Sequence, residues 1–373
     1  MKGYFIPFGS RKIVSIDKKI DMQIQQLTTI ASIEEVDVEI TPRNFFRNVS
    51  SVLPYVDLPW DYTDVYQKIQ DPDFIFMRRT GADRSLINFL KYIKKKFPQC
   101  KIIIEIPTYP YMKESLQRID GCVLLPKDLY NRKKLKRYVD RILTYSEDDR
   151  IFDIPTIRTI NGISMKDVKP VHKVDKDDKI ILLAVAVFRP AHGYERCLQG
   201  LADYYNNGGK RLIEIHMVGY GKEVPYYRKL VKKNHLEKYV FFHGKKTGDE
   251  LDHIYSIADI ALGYFGGYKV KTYSISTLKT NEYLAKGLPI ISGCNERVFE
   301  GIDVDFYEQF PNDSTPVSME EVIHFYDKLY KSGEKRQDIE TRIRDFASRT
   351  VDIEITMKPV IEYLKHLSDL NIP

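Results

Sequence analysis

The chain has 373 residues, of which 43% are hydrophobic and 29% are charged, and its formal net charge at pH 7 is +6. This length is sufficient for two domains with separate cores, and the hydrophobic fraction excludes a disordered chain. The positive excess is modest and lacks the dense basic and aromatic pattern of a nucleic-acid-binding module, so we expect no nucleic-acid partner.

The sequence shows neither a membrane span nor a metal-binding pattern. Its longest apolar runs, such as Ile180–Phe188, have the length of a strand, and its first residues lack the pattern of a signal peptide, which predicts a cytoplasmic protein. The 4 cysteines include no C-x-x-C pair, and the 8 histidines show no spacing such as H-x-x-x-H. We therefore expect neither disulfide bonds nor a bound metal ion.

The first half of the chain alternates short apolar runs with helical patterns, which predicts a parallel α/β domain. We predict strands at residues 4–8, 35–40, 73–79, 101–106, 141–145 and 156–160. Helices are predicted at residues 18–31, 85–97 and 127–138, and a long loop with a short helix is predicted at residues 42–60. Gly9 makes the turn after the first strand.

A second α/β pattern follows a charged stretch at residues 166–179, which we interpret as an interdomain linker. Strands are predicted at residues 180–188, 212–218, 239–242, 259–265 and 306–310. Helices are predicted at residues 195–206, 224–236, 249–258, 319–332, 334–348 and 353–367. These assignments give an N-terminal domain at residues 1–164, a C-terminal domain at 165–350 and a last helix at 351–373.

Residues 274–292 predict a loop, a helix and a short strand. Ser276 or Thr277 can cap a helix that begins at Leu278, and Gly287 ends it. Because the helix follows the C-terminal end of a strand, its free amide groups are expected to point into the crevice of a doubly wound sheet, where anions bind.

Two charged residues lie on one face of this helix. Lys279, in the first turn, puts a cation where the helix dipole disfavours one, which suggests a bound polyanion nearby. Glu282 follows one turn later. The alternative is a surface ion pair between the two side chains, worth only ~0.2–0.5 kcal/mol.

The run from Ser276 to Pro289 reads S-x-L-K-x-x-E-Y-x-A-x-G-x-P, and it resembles the signature of glycosyltransferase family 4, in particular its bacterial polysaccharide and capsule enzymes. The resemblance implies the GT-B fold, in which two Rossmann-like domains face a cleft and a C-terminal helix crosses back to the first domain. It also implies that Lys279 and the amides at Thr277 and Leu278 hold a donor diphosphate, and that Glu282 bonds the nucleotide ribose. Many members carry a second glutamate where this chain has Ser274.

A second segment, at residues 188–196, departs from the family pattern. Many family 4 enzymes have an arginine and a lysine–glycine pair here that reach the diphosphate, whereas this chain has Val187 at the arginine position and His192 before Gly193. The H-G-Y-E-R form resembles a subgroup with the same signature. The candidates for donor contact here are His192, Gly193 and Arg189, with Arg196 as the replacement cation; the alternative is a helix-entry turn with solvated charges.

Weaker candidates follow other strands of the two domains. Gly219, Gly221 and Lys245 come after strands of the second domain and either line the donor site or form ordinary turns. In the first domain, the candidates for acceptor contact are Gly9, Glu105, Tyr109 and Glu114. Tyrosines with carboxylates are typical of sugar sites, although tyrosines beside prolines also simply pack.

Together with these observations, the resemblance implies a retaining, metal-independent glycosyltransferase that uses a nucleotide diphosphate sugar, UDP- or GDP-linked, and a glycan or lipid-linked acceptor. Breaking the anomeric bond leaves a diphosphate, so the largest catalytic term should be positive charge at the leaving group, supplied by Lys279 and Arg196. Two alternatives remain: a GT-B sugar-nucleotide epimerase, and a catalytically silent glycan-binding partner subunit.

Basic residues of the first domain also suggest peripheral contact with an anionic inner membrane surface. They are Lys91, Lys94, Lys95, Lys96, Arg132, Lys133, Lys134, Lys136 and Arg137.

Overall fold

The structure is a computed structural model that describes residues 1–8, 14–40, 60–79, 81–112, 121–173 and 179–369. The chain divides into two compact units. Unit 1 consists of Met1–Gly162 and Ile353–Pro373, and unit 2 of Ile163–Asp352. Gly9, Glu114 and the loop predicted at residues 42–60 fall wholly or mostly outside the described residues.

Unit 1 is built on a seven-stranded sheet in the order β2-β1-β5-β6-β7-β9-β8. Its neighbouring strands are parallel, apart from the β8–β9 hairpin, and β3 and β4 form a separate antiparallel pair. The strands are β1 (Lys2–Ile6), β2 (Ser32–Glu35), β3 (Glu39–Ile40), β4 (Trp60–Asp61), β5 (Phe74–Arg78), β6 (Lys101–Ile106), β7 (Arg141–Thr144), β8 (Arg150–Ile151) and β9 (Ile154–Arg158). The helices are α1 (Val14–Thr28), α2 (Thr63–Lys68), α3 (Arg84–Lys96) and α4 (Gly121–Asn131), followed by a 3-10 helix at Arg132–Arg137.

Unit 2 contains a six-stranded parallel sheet in the order β12-β11-β10-β13-β15-β17. Its strands are β10 (Ile180–Phe188), β11 (Ile213–Gly221), β12 (Val240–Gly244), β13 (Ile260–Leu262), β15 (Ile290–Ser292) and β17 (Tyr307–Gln309), and a small parallel pair is formed by β14 (Ser274–Ile275) and β16 (Asn295–Glu296). The helices are α5 (Glu195–Asn206), α6 (Val224–Lys233), α7 (Asp249–Ile257), α8 (Gly267–Val270), α9 (Leu278–Ala285), α10 (Met319–Tyr330) and α11 (Arg336–Thr350), with 3-10 turns at Pro190–His192 and Arg297–Phe299.

The last helix, α12 (Ile353–Asp369), packs in unit 1. Its Met357, Val360 and Leu364 are buried against Phe5 and Phe76 of the first sheet, in the layer that α1 also covers. Because side chains alternate along a strand, the neighbouring residues of these strands face the second layer, on the side of α3. Apolar layers on both faces are typical of parallel sheets with helical crossovers. The predicted return of the C-terminal helix to the first domain is therefore confirmed.

Several predicted boundaries are wrong. The second strand lies at Ser32–Glu35 rather than at 35–40, because it pairs with β1 from Lys2 onward. The basic helix predicted at 127–138 ends at Asn131, and the Arg132–Arg137 run is a 3-10 helix. This run has a single buried apolar residue, Leu135, and like charges four residues apart disfavour a regular α-helix.

Candidate functional site

The candidate site lies where the connections of the second sheet reverse direction. Counted in chain order, the main strands of unit 2 are arranged 3-2-1-4-5-6, so the reversal falls between β10 and β13. Ligands of open α/β sheets bind beyond the carboxyl ends of the strands at this point. The segments that follow β10 and β13 are therefore the first place to look for a ligand site.

These two segments are in backbone contact. Phe265 N donates to His192 O at 2.8 Å. Gly193 has a φ of +69°, and a Cβ atom there would lie 2.4 Å from Gly266 N. Gly193 is thus required for close packing as well as for its left-handed conformation. The glycine that the sequence suggested for donor contact has a structural role that the sequence did not reveal.

Helix α9 has well-defined caps at both ends. The Thr277 hydroxyl accepts a bond from Thr280 N at 3.2 Å. At the other end Gly287 has a φ of +82°, Leu288 N donates to Tyr283 O at 2.9 Å and Gly287 N donates to Leu284 O at 3.0 Å, which together form a Schellman motif. The amides of Leu278 and Lys279 have no acceptor inside the helix and are available to an anion. The predicted helix bounds are confirmed.

Lys279 points from α9 to the segments after β10 and β13. Its Nζ donates to Gly263 O at 2.6 Å and to Tyr194 Oη at 2.9 Å, and it lies 5.5 Å from the ring centre of Tyr264. An ammonium group has three hydrogens, so one remains for a ligand. Burial lowers the pKa of Lys279 to about 8, with Glu296 opposing that effect.

His192 lies next to this ammonium. Its Nδ1 accepts from Arg189 N at 3.1 Å, and its ring stacks on Tyr194 with 5.7 Å between the ring centres. Burial, then the charges of Lys279 and Arg189, hold the pKa of His192 well below its usual value. The imidazole is therefore neutral with its proton on Nε2, and it presents a hydrogen-bond donor rather than a cation. Arg189 itself is exposed.

Arg196 is placed differently from the expectation. Its side chain is only 2% exposed, and it donates from Nε to Thr315 O at 2.6 Å and from Nη1 to Phe265 O at 3.0 Å. These bonds fix α5 to the loop before α10 and to the segment after β13. The third nitrogen, Nη2, is buried without a hydrogen-bond partner and lies 3.8 Å from Asp313 Oδ1. The two bonds to backbone carbonyl groups give Arg196 a structural role, and its contact with a diphosphate stays a prediction.

Glu282 is partly buried, one turn after Lys279. After burial itself, its charge is the main reason that the pKa of Tyr255 is raised well above the usual value. The next residue, Tyr283, is fully buried, and its hydroxyl accepts from Val185 N of β10 at 2.8 Å. Helix α9 is thereby fixed to β10.

The weaker candidates of unit 2 lie on β11 or beyond β12. Gly219 and Gly221 lie within β11 with φ values of +132° and +146°, and a Cβ on them would lie 1.9 Å from Ala186 O and 2.2 Å from Phe188 O. The predicted strand end at residue 218 is therefore wrong. Lys245 is exposed and follows the edge strand β12. Strands β11 and β10 lie between β12 and β13, so β12 and β13 are roughly 14 Å apart at the usual strand spacing.

In unit 1, Glu105 is an internal ion-pair partner. It is 0% exposed, and its Oε1 accepts from Lys19 at 2.9 Å, Arg78 at 2.5 Å and Tyr145 at 2.6 Å. Burial alone would raise the pKa of Glu105, but Lys19 and Arg78 hold it at about 2. This placement favours a structural role over acceptor contact. Tyr109 remains partly exposed.

Sequence reasoning missed Glu296, a buried carboxyl group 17 positions after Lys279 in the chain. No short motif joins these two residues, and only the pairing of β14 with β16 places them in one cluster. Among the described residues, no group of three or more histidine, cysteine, aspartate or glutamate side chains could hold a metal ion. No helix in the described ranges is long and apolar enough to cross a membrane.

The strand orders and the two parallel sheets define the class of protein. A protein from Anabaena, HepE, solved in complex with UDP, is 12% identical and matches with a TM-score of 0.63 over 98% of this chain and 100% of that chain. A glycosyltransferase from Rickettsia africae is 11% identical, with a TM-score of 0.63 over 98% of each chain. Sucrose-phosphate synthase from Thermosynechococcus elongatus is 13% identical, with a TM-score of 0.64 over 98% of this chain and 100% of that chain. The chain has the GT-B fold, as predicted.

The family is indicated by sequence as well. Residues 166–345 match the family model described as glycosyl transferases group 1. This part of the chain is therefore similar to group 1 glycosyl transferases, which confirms the predicted resemblance and supports a role in glycosyl transfer. No curated protein sequence matches the chain.

Proposed function

We propose that the protein transfers a glycosyl residue from a nucleoside diphosphate sugar to a glycan or lipid-linked acceptor. The observation that carries this proposal is the position of Lys279 and the amino end of α9 at the reversal point of the second sheet. Both present positive charge on the same side of the sheet, and residues 166–345 match a family model of glycosyl transferases. A diphosphate fits this arrangement because it is the most highly charged part of the donor.

For the donor we propose a UDP-sugar, with a GDP-sugar as the alternative. The structural neighbour HepE was solved with UDP and with UDP-glucose, which supports a uridine nucleotide. Glu282 lies one turn beyond Lys279 on α9, and we assign to it the two ribose hydroxyl groups. A carboxylate can accept a bond from each hydroxyl.

The proposed mechanism depends on charge at the leaving group. As the anomeric bond breaks, negative charge develops on the diphosphate, and the Lys279 ammonium with the amides of Leu278 and Lys279 stabilises it. His192 Nε2–H adds a neutral donor beside the ammonium. We propose that the reaction needs no metal ion and retains the anomeric configuration, with the leaving phosphate oxygen taking the proton of the acceptor.

We propose that the acceptor is part of surface polysaccharide synthesis and is met in the cytoplasm at the inner membrane surface. Of the basic residues named above, Lys94 bonds Asp140 at 2.7 Å and Lys136 bonds Asp153 at 2.8 Å. Lys133 and Arg137 are exposed and Lys134 is partly exposed. These three residues, the basic patch, are better placed than the paired lysines to contact anionic lipid.

A second candidate function is a catalytically silent subunit that binds a nucleotide or glycan. The observation in its favour is Ser274, which stands where many family 4 enzymes have a glutamate. Its hydroxyl oxygen is buried without a hydrogen-bond partner. A serine cannot supply the negative charge that a glutamate would place near the transferred sugar.

One experiment separates these functions. UDP- and GDP-sugars are first compared by thermal shift, and the stabilising donor is then incubated with lipid-linked oligosaccharides. We expect a product that contains the sugar, with the same anomeric configuration as the donor by NMR. Binding without either donor hydrolysis or product would favour the silent subunit, and an altered sugar nucleotide without acceptor would favour an epimerase.

A further inference from the structure

The most unusual residue outside the predicted site is Glu296. It is fully buried, with 0% exposure, although it carries a carboxyl group. It lies on β16, directly opposite Ile275 of β14, and β14 leads into helix α9 through Thr277. Buried carboxyl groups cost stability unless they are paired and hydrogen-bonded, so a partner for Glu296 is expected.

Both oxygens of Glu296 are hydrogen-bonded to residues around Lys279. Oε2 accepts from Thr280 Oγ1 at 2.9 Å, and Thr280 is the residue after Lys279 in the first turn of α9. Oε1 accepts from Ser292 Oγ at 3.1 Å. Ser292 Oγ in turn accepts from Tyr264 N at 3.1 Å, and Tyr264 follows Gly263 in the chain. The carboxyl group therefore joins α9 to the segment after β13.

Gly263 is close to both charged groups. Its carbonyl oxygen accepts from Lys279 Nζ at 2.6 Å. A Cβ atom on Gly263 would lie 3.1 Å from Glu296 Oε1 and 2.7 Å from Ser292 Cβ. A side chain here would displace Ser292 or Glu296, so the glycine leaves room for the carboxyl group beside the residue that binds the ammonium.

We propose that Glu296 is the positioning residue for Lys279: it is a buried counter-charge, bonded to the first turn of α9 through Thr280, that keeps the ammonium group cationic for the donor diphosphate. The proposal rests on the proposed function, because Lys279 needs a diphosphate to act on. Glu296 itself has no exposed surface, so it acts through Lys279 and not by contact with the substrate.

The charges of the pair support this role. Burial raises the pKa of Glu296 to about 7, while Lys279 opposes the increase. Burial lowers the pKa of Lys279 to about 8, while Glu296 opposes the decrease. Each group thus favours the charged form of the other, and the pair titrates together. Ionisation of Glu296 or Lys279 does not stabilise the folded protein. This is expected where a charge is retained for function.

The described shifts of neighbouring groups lead away from this range. The titratable residues near the pair whose pKa is clearly shifted include Tyr194, Cys197, Tyr283, Cys294, Tyr307 and His192. Burial raises the pKa of the phenols and thiols and lowers that of His192. The part of the affinity change between roughly pH 7 and 9 that differs between the wild type and the Glu296 and Lys279 variants therefore reports on this pair.

The test is the pH dependence of UDP affinity, measured by calorimetry on the full chain. In the wild type, we expect affinity to fall as pH rises through about 8, because Lys279 loses its proton there. In Glu296→Gln the midpoint should fall by about one pH unit or more, because the opposing carboxylate is absent. Glu308→Gln, an exposed position on β17, is the matched control and should keep the wild-type midpoint.

Two further variants complete the design. Lys279→Met should abolish the pH dependence in this range, and Glu296→Asp, which keeps the charge one methylene further back, should give a midpoint between those of the wild type and Glu296→Gln. If Glu296→Gln does not fold, a lowered midpoint in Glu296→Asp is the test.

An unchanged midpoint in both Glu296 variants, or a midpoint that persists in Lys279→Met, would overturn the inference. A wild type that binds neither UDP nor GDP would instead overturn the proposed function together with this inference.

Discussion

The substitution Lys279→Ala tests the proposed site most directly. In the free protein Nζ donates to Gly263 O and Tyr194 Oη, so the ammonium is fixed before a donor binds. Preorganised donors of this kind stabilise developing charge without reorganisation at the moment of reaction. Loss of the side chain removes the one cationic side chain that the first turn of α9 carries.

The expected size follows from the geometry. Two of the three ammonium hydrogens are used inside the protein, and one charged hydrogen bond remains for the diphosphate. Removing one group that stabilises transition-state charge lowers the rate by on the order of 10²–10³. We therefore expect kcat/KM of Lys279→Ala to fall by about this factor, with most of the loss in kcat if the charge acts on the leaving group.

The assay is release of the nucleoside diphosphate from the donor identified by thermal shift, with and without acceptor. Folding of the variant is checked by circular dichroism and thermal melting. Lys245→Ala is the matched control, because Lys245 is exposed beyond an edge strand and should be dispensable. A near wild-type rate for Lys279→Ala, or an equal loss in Lys245→Ala, would show that the site is wrongly placed.

Three other predictions test the ribose, the packing and the membrane contact. Glu282→Ala should weaken UDP binding by roughly 1.5–3 kcal/mol but leave the affinity for 2′,3′-dideoxy-UDP nearly unchanged; equal losses by calorimetry would show that Glu282 does not meet the ribose. Gly193→Ala should lower the free energy of unfolding, measured with denaturant, more than Gly208→Ala, since both have positive φ but only Gly193 has backbone within 4 Å of the added methyl group. Equal effects would contradict the close packing. Charge reversal of the basic patch should abolish binding to anionic vesicles at low salt and leave UDP affinity alone, whereas similar binding to neutral vesicles would argue against electrostatic docking.

The sequence alone determined the fold class and the helix that carries the candidate site. Leu278 to Ala285 was readable because Thr277 and Gly287 are local signals: a cap needs only the next three residues, and a Schellman end needs only the preceding turn. The strands β6 and β10 were readable for a similar reason, since strands buried on both faces appear as continuous apolar runs.

Tertiary structure decided what the polar residues near the site do. Arg196 and Glu105 lie in segments that sequence reasoning assigned correctly to a helix start and a strand end, yet both are buried and bonded internally. Their partners, Thr315 and Lys19, are 119 and 86 positions away in the chain, and no local pattern encodes such contacts.

The same limit explains Glu296. A carboxyl group on a two-residue strand resembles any solvated loop residue. Its bond to Thr280 of α9 depends on the pairing of β14 with β16. Local signals fix where a helix begins and ends, since their energies arise within one turn of the chain. Burial and charge pairing depend on which distant segments meet, and only the folded sheet determines that.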